Sequence, residues 1–252
     1  MIPYFEWRHI IVGPLTIQTW GLFVAGGILA AAWVSARLAR RRGLDGDVVW
    51  DVLGWMVGGG LIGARLFHVL FYEPAYYLAN PGEIFSFWLG GMAISGGLAG
   101  GAITGFLFLK WKGFAVWRYA DVLAFGLPLG QFIGRIGCFL NHLHPGTPTD
   151  FFLGVSYPDG VVRHDNGLYL SLNGLLLFFI FLLLRRRVRE GTFLALFFLW
   201  DGVIRFGLDF LRAREGDMVD ARYIGLTPAQ YVSLAMVAIG GWLWYRRKEL
   251  PT

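Results

Sequence analysis

The chain has 252 residues, of which 56% are hydrophobic and only 15% are charged. Soluble domains contain about 25% charged residues, so this composition excludes an ordinary soluble domain and indicates a membrane protein. One cysteine excludes an internal disulfide framework, and the net charge of +5 lies in short clusters between apolar runs, which argues against a nucleic-acid-binding protein.

Seven apolar segments follow one another along the chain, each close to the roughly 20 residues that a membrane-spanning helix requires. They predict an all-α integral membrane protein, a bundle of about seven transmembrane helices that forms a single polytopic membrane domain over residues 1–252. The sixth segment is the weakest, because it contains Asp201, Arg205 and Asp209. The predicted spans are residues 16–37, 48–71, 86–109, 117–140, 168–185, 192–211 and 228–245.

Predicted loops rich in basic residues alternate with loops poor in them, and this pattern predicts how the chain is oriented in the membrane. They are concentrated after the first, third, fifth and seventh spans, in ARLARRRG, KWKGFAVWR, RRRVRE and YRRKELPT, whereas the loop YEPAYYLANPGE has none. Because cytoplasmic loops carry an excess of Lys and Arg, this pattern predicts an N-terminus outside and a cytoplasmic C-terminus. The loop of residues 212–227 is a partial exception, since Arg212, Arg214 and Arg222 lie on its predicted outer side.

Eight ionisable side chains fall within the predicted spans, where charge is costly and marks either a functional site or a pairing partner. Arg135 and Arg205 lie in the outer halves of their spans, where a guanidinium group suits the oxygens of a lipid phosphate. For Asp51, Asp121 and Asp209 we expect pairing within the bundle instead. The eight are Asp51, Arg65, His68, Asp121, Arg135, Asp201, Arg205 and Asp209.

The fourth span ends in the polar stretch FIGRIGCFLNHLHPGTPTD, residues 132–150. His142 and His144 have a spacing that can supply two metal ligands, but nothing completes the set, and the Pro/Gly/Thr run predicts an exposed turn. We therefore expect no metal here. A lone cysteine in such a helix is typically a small packing residue, so Cys138 is not expected to react.

These segments resemble the prolipoprotein diacylglyceryl transferase family over nearly the whole chain. GRIGCFLN, residues 134–141, is similar to the signature of that family and is the most specific match. DGVIRFGLDFLR resembles its sixth span, with Arg205 at the position of an essential arginine, and TWGLFVAGG resembles its first span. The resemblance implies an enzyme that transfers a diacylglyceryl group from phosphatidylglycerol to the lipobox cysteine of a prolipoprotein and releases glycerol-1-phosphate.

The resemblance also implies the partners and the site. The partners are phosphatidylglycerol, prolipoprotein signal peptides and the lipid bilayer of the bacterial cytoplasmic (inner) membrane, with no nucleic acid, no cofactor and no metal. Arg135 and Arg205 are the expected catalytic residues, and the reacting thiol arrives on the substrate. The expected substrate-binding residues are Trp20, Ser95, Gly96, Gly97, Gly134, Arg135, Gly137, Asn141, His164, Tyr169 and Asp201.

Several positions depart from the pattern of the family. Ser95 stands before the paired glycines of the third span, where many members have an aromatic residue or a histidine, and serine is a poor base. Trp20 and Asp201 replace tyrosines, and HDNGLYLS, residues 164–171, lacks the usual Gln and Glu. These departures leave an alternative, a catalytically altered relative that binds phospholipid or signal peptide without transfer.

The general base also stays open at this point. Proton transfer requires a group within hydrogen-bond reach of the thiol, which only geometry can identify. The candidates are His68, His142, His144 and His164.

Overall fold

A computed structural model describes residues 1–13, 15–86, 90–213 and 222–246 of the chain. Seven helices of 17 to 25 residues lie in these ranges, together with a six-residue helix after the second of them. They are α1 (Thr19–Arg41), α2 (Asp47–Phe71), the short α3 (Pro74–Ala79), α4 (Ile94–Trp111), α5 (Val116–Leu140), α6 (Asn166–Leu184), α7 (Thr192–Leu208) and α8 (Pro228–Arg246). Arg214 of the predicted outer loop lies outside the described residues.

Four of these helices, α1, α2, α5 and α6, are long and apolar enough to cross a membrane. The prediction of a mostly helical membrane protein is therefore confirmed. With 17 residues, α7 is about 26 Å long, short of a hydrocarbon core about 30 Å thick. The count of seven spans and the orientation of the termini stay predictions.

The third predicted span begins at residue 86, whereas α4 begins at Ile94. Gly90 and Gly91 precede it with φ angles of +87° and +72°, and Ala93 is extended. A left-handed backbone cannot continue a right-handed helix, so α4 begins only after this turn. Residues 87–89 of the predicted span lie outside the described residues.

In the described ranges six short strands accompany the helices, and the sequence did not predict them. At two to four residues each, they are too short to show the alternation by which a strand is recognised. A four-stranded sheet has the order β1-β5-β6-β4, in which β1 is parallel to β5, and β2 and β3 form an antiparallel pair. The strands are β1 (Ile2–Pro3), β2 (His9–Val12), β3 (Leu15–Gln18), β4 (Pro145–Pro148), β5 (Val155–Ser156) and β6 (Val162–Asp165).

The chain forms two compact units, the first of which comprises residues 1–35 and 120–252. Its core contains an aromatic cluster in which the ring of Phe193 lies 5.1 Å from Phe125 and 4.8 Å from Phe181. Next to this cluster, the fully buried Asp121 accepts a 2.9 Å hydrogen bond from the backbone N–H of Leu194. A carboxylate is favourable at that place because the first turn of α7 leaves N–H groups unsatisfied.

Residues 36–119 form the second unit, in which α2 and α4 pack through glycines. A Cβ atom on Gly63 would lie 2.9 Å from the Cα of Gly100, and one on Gly100 would lie 3.0 Å from the Cα of Gly63. Small residues allow such close backbone approach, which supplies the packing that drives association of helices in lipid. Asp51, which was expected to pair, is exposed and forms no ion pair among the described residues.

Arg65 on α2 is the buried charge of this second unit, only 2% exposed. Its guanidinium donates to four backbone carbonyls, those of Glu83 (2.5 Å) and Ile84 (2.9 Å) on one side and of Gly90 (2.5 Å) and Gly91 (3.1 Å) on the other. Carbonyl dipoles thus satisfy the cation in place of a counter-ion.

We predict that Arg65→Lys lowers the stability of the protein, because a compact ammonium cannot reach both groups of carbonyls at once. Losing one hydrogen bond to a charged group costs about 2 kcal/mol, which corresponds to roughly 4–8 °C in the melting temperature of a chain of this size. Thermal unfolding in detergent measures the effect. Arg41→Lys, on the exposed last turn of α1, is the matched control, and an equal shift in both variants would contradict the role of the carbonyls.

Candidate active site

Two arginines lie near the C-terminal ends of α5 and α7. Arg135 precedes the end of α5 at Leu140, and Arg205 precedes the end of α7 at Leu208. The segments that follow these helices pair with each other, since Gly146 forms a bridge with Arg212 and the N–H of Ala213 donates to the carbonyl of Pro145 at 3.2 Å. The two helix ends therefore meet in the first unit.

Neither of these half-buried arginines forms an ion pair with a residue that the structure describes. The polar contact of Arg135 is with the thiol of Cys138, whose Sγ lies 3.9 Å from Nη1. Arg205 has an aspartate one turn before it and another one turn after it, but both carboxylates are engaged elsewhere. Positive charge is therefore left available to an anion.

Asp201, one turn before Arg205, is 4% exposed and lies within a network of amides. Its Oδ1 accepts hydrogen bonds from Gln131 at 2.7 Å and from Asn173 at 3.4 Å, and Asn173 accepts one from the indole of Trp200 at 2.8 Å. The network joins α5, α6 and α7 one turn away from the arginines. Its geometry gives Asp201 amide partners rather than Arg205.

Asp209 follows α7 and accepts a short hydrogen bond from the hydroxyl of Thr227. Its other oxygen lies 3.5 Å from Nη1 of Arg212, so the expected pairing of Asp209 is confirmed. The sequence assigned Arg212 to an outer loop and did not predict it near the site. Helical spacing does not identify it, because Arg212 follows a short 3₁₀ turn and has an extended backbone (φ −68°, ψ 151°). Its place beside the site depends on the bridge to Gly146.

His144 lies next to Arg212, whose Nη2 is 3.2 Å from the Nδ1 of the ring. Burial, and then the positive charges of Arg135, Arg212 and Arg205, lower the pKa of His144 to about 3. The ring is therefore neutral at neutral pH. The positive charges of Arg135, Arg205 and Arg212 therefore all act on this one ring.

His142 is buried and fully engaged, and it has a left-handed backbone with φ +45°. Nδ1 lies 2.9 Å from the carboxylate of Asp165 and Nε2 lies 2.8 Å from the carbonyl of Phe5, while the ring of Tyr4 stacks at 4.5 Å. Both ring nitrogens are thus occupied by groups of the protein itself, and neither is open to a substrate. His142 is thus a structural clamp rather than a general base.

Two further residues of the expected site contact each other. Nδ1 of His164 on β6 lies 2.8 Å from the hydroxyl of Tyr169 on α6, and the ring of Phe151 packs 6.3 Å from each. Burial lowers the pKa of His164. The pair lies beside the arginine-bearing segments, since a Cβ on Gly146 would approach the Cβ of His164 to 2.7 Å.

The glycines and the asparagine of the signature pack within this first unit. A Cβ on Gly137 would lie 2.8 Å from the Cβ of Phe23 and 3.2 Å from the Cα of Trp20, so Gly137 lets α1 approach α5. Gly134 has ordinary space, 3.9 Å from Val24. The buried Asn141 donates to the carbonyl of Gly137 at 2.8 Å and so secures the end of α5.

Ser95, Gly96 and Gly97 lie in the second unit, at the start of α4. Ser95 is exposed, whereas a Cβ on Gly97 would lie 3.5 Å from the Cβ of Ala64 on α2. Gly96 packs against Gly63, which also lies on α2. The two glycines therefore hold α4 against α2.

A family model and several known proteins that are similar to this chain all carry the same description. The family model described as "Prolipoprotein diacylglyceryl transferase" matches residues 8–246. The chain is 34% identical to the phosphatidylglycerol–prolipoprotein diacylglyceryl transferase of Geobacillus kaustophilus, over 94% of this chain and 90% of that protein. It is 35% identical to the protein of the same name from Nitratidesulfovibrio vulgaris, over 93% and 91%, and 34% identical to that from Staphylococcus xylosus, over 91% and 84%.

We predict that Asp165→Ala destabilises the protein more than Asp165→Asn does. Asp165 is fully buried, accepts from His142 and caps α6 by accepting from the N–H of Leu168. Alanine removes the cap, worth about 1 kcal/mol, and leaves the imidazole unpaired at a further cost of about 1–3 kcal/mol, whereas asparagine keeps a capping oxygen. Chemical or thermal unfolding measures the order, with the exposed Asp159→Asn as control, and equal losses of stability in the alanine and asparagine variants would contradict it.

Proposed function

Because the chain belongs to the prolipoprotein diacylglyceryl transferase family, we propose that it transfers a diacylglyceryl group from phosphatidylglycerol to a cysteine in the signal peptide of a prolipoprotein, with Arg135 and Arg205 as the catalytic residues. The observation that carries this proposal is the cluster of arginine charge where α5 and α7 end. Phosphatidylglycerol has one phosphodiester charge, which such a cluster attracts.

The transfer reaction requires positive charge beside the phosphate, which Arg135 and Arg205 supply. The acceptor thiol loses its proton, its sulfur bonds to the glycerol carbon that bears the phosphate, and the C–O bond breaks with its electron pair moving to a phosphate oxygen. Negative charge therefore grows on the phosphate as glycerol-1-phosphate leaves. Arg135 and Arg205 stabilise that growing charge as preorganised donors, and such stabilisation speeds the step because it is strongest in the transition state.

The arrangement of helices supports a site at the outer face of the bacterial cytoplasmic membrane. Seven helices of 17 residues or more in the described residues overlap the predicted spans, and the loops after α1, α4 and α6 carry the basic clusters. With those loops in the cytoplasm, the N-terminus and the C-terminal ends of α5 and α7 are outside. The arginines then meet lipid of the outer leaflet and signal peptides that have crossed the membrane.

We predict that Arg135→Ala and Arg205→Ala each reduce turnover by about 10²–10³-fold, the effect of losing one preorganised donor from a charge-stabilising site. The lysine variants are expected to keep part of the activity, because they retain the charge and lose the planar fork. The assay mixes purified protein, phosphatidylglycerol and a lipobox peptide and measures release of glycerol phosphate.

Arg8→Ala is the control for this experiment, since Arg8 is exposed and pairs with Glu6 at 2.5 Å. Near-normal turnover of either catalytic variant refutes the role of that arginine. Absence of release by the unaltered protein, under conditions in which a typical member of the family is active, refutes the transferase proposal. Binding of phosphatidylglycerol without release then favours the catalytically altered relative. Ser95, at a position where many members have an aromatic residue or a histidine, also favours it.

We predict that Cys138→Ser keeps close to full turnover. Cys138 is 7% exposed, and the reacting thiol belongs to the substrate, so the residue has no covalent part in the reaction. The same release assay tests the variant. Loss of turnover with an unchanged melting temperature would show instead that Cys138 takes part in the chemistry.

A further inference from the structure

His144 and Arg212 are held side by side by the backbone on both sides of them. The carbonyl of His144 accepts from the N–H of Asn166 at 3.2 Å, and Pro145 and Gly146, which follow it in β4, pair with residues 212 and 213. The backbones approach closely at Gly146, because a Cβ there would lie 2.5 Å from the carbonyl oxygen of Leu211. The contact between imidazole and guanidinium is therefore built into the fold.

That contact determines which ring nitrogen of His144 carries the proton. A guanidinium has five N–H donors and no acceptor. Since Nη2 of Arg212 lies 3.2 Å from Nδ1, Nδ1 must be the acceptor, and the proton of the neutral ring is on Nε2. Within the described part of the chain Nε2 has no hydrogen-bond partner, so it is a donor without an acceptor.

The surroundings keep the ring neutral. Arg212 contacts the ring, and the positive charges of Arg135 on α5 and Arg205 on α7 also act on it, while Asp209 offsets part of the charge of Arg212. Burial and these arginines lower the pKa of His144 to about 3, whereas a thiol has a pKa of about 8.5. Proton transfer from thiol to this imidazole is thus uphill by several pKa units, which makes it a poor base.

We infer that His144 donates a hydrogen bond from Nε2–H to the phosphate that Arg135 and Arg205 bind, and that it is not the base that takes the proton of the thiol. This inference rests on the proposed function, because it assigns His144 to the phosphate of phosphatidylglycerol. A neutral donor contributes a hydrogen bond to the anion without adding a fourth positive charge to three that already repel one another. Arg212 acts through His144, as the residue that selects its tautomer.

The kinetic test compares His144→Gln with His144→Leu. Glutamine supplies an acceptor for Arg212 and an N–H donor for the phosphate, whereas leucine supplies neither. We expect His144→Gln to stay close to the unaltered protein and His144→Leu to lose about tenfold in kcat/KM for phosphatidylglycerol, mainly through KM, as for one hydrogen bond to a charged group. His9→Gln is the matched control, because His9 is exposed at the start of β2.

A general base would give a different result in the same experiment. Glutamine cannot take a proton, so His144→Gln would then lose kcat as severely as His144→Leu, and the pH profile of the unaltered protein between pH 5 and 8 would have an acidic limb that both variants lack. Either result overturns the inference. An unchanged kcat/KM in His144→Leu also overturns it.

A measurement that needs no turnover separates this inference from the proposed function. The method is nitrogen NMR of protein labelled at histidine, with the signal of His144 assigned by its loss in His144→Gln. We expect the neutral Nε2–H tautomer of His144 from pH 5 to 8. We also expect the Nε2 signal to shift in lipid nanodiscs that contain phosphatidylglycerol and to stay unchanged in nanodiscs of phosphatidylcholine. That result without glycerol phosphate release supports the inference while the transferase proposal fails. Titration of the ring near pH 6.5, or no response to phosphatidylglycerol, overturns the inference even if transfer is observed.

Discussion

The mutual repulsion of arginine charges at the ends of α5 and α7 is the constraint on which the first unit depends. Like charges brought close together must be held in place by other contacts. The backbone pairing of Gly146 with Arg212 holds the segments beyond the helices, and the amides around Asp201 hold the helices themselves one turn below. The fold thus keeps positive charge concentrated where a phosphate can neutralise it.

In the second unit, the buried cation Arg65 is satisfied by the protein itself, unlike the arginines of α5 and α7. Arg65 donates to the carbonyls of its own unit, so few of its donors are left for a ligand. Within the described residues, Arg135 contacts only the thiol of Cys138, and neither Arg135 nor Arg205 forms an ion pair. The difference follows from what surrounds each guanidinium and not from its burial alone. Arg65 is therefore a structural residue, and the arginines of α5 and α7 are the ones suited to a substrate anion.

Much of the fold follows from the sequence, because apolar runs of about 20 residues typically form membrane-spanning helices. The helix ends lie within a few residues of the predicted spans, except at the start of α4. The role proposed for Arg135 and Arg205 came from their position and from the family resemblance. The contact of His144 with Arg212 joins residues 68 positions apart and depends on an isolated backbone bridge that has no recognisable sequence pattern. The amide partners of Asp201 lie 70 and 28 positions away on other helices, so composition and spacing do not reveal them.

The parallel pairing of β1 with β5 has a consequence for how the protein assembles. Ile2 pairs with Val155, and the carbonyl of Phe5 accepts from His142, so Ile2 and Phe5 must wait for partners some 140 to 150 residues later in the chain. Contacts of such long sequence separation form late, because the chain between them must first be ordered. Four long helices, α1, α2, α4 and α5, and the short α3 precede His142 in the chain, so these pairings form after the residues of those helices have been synthesised.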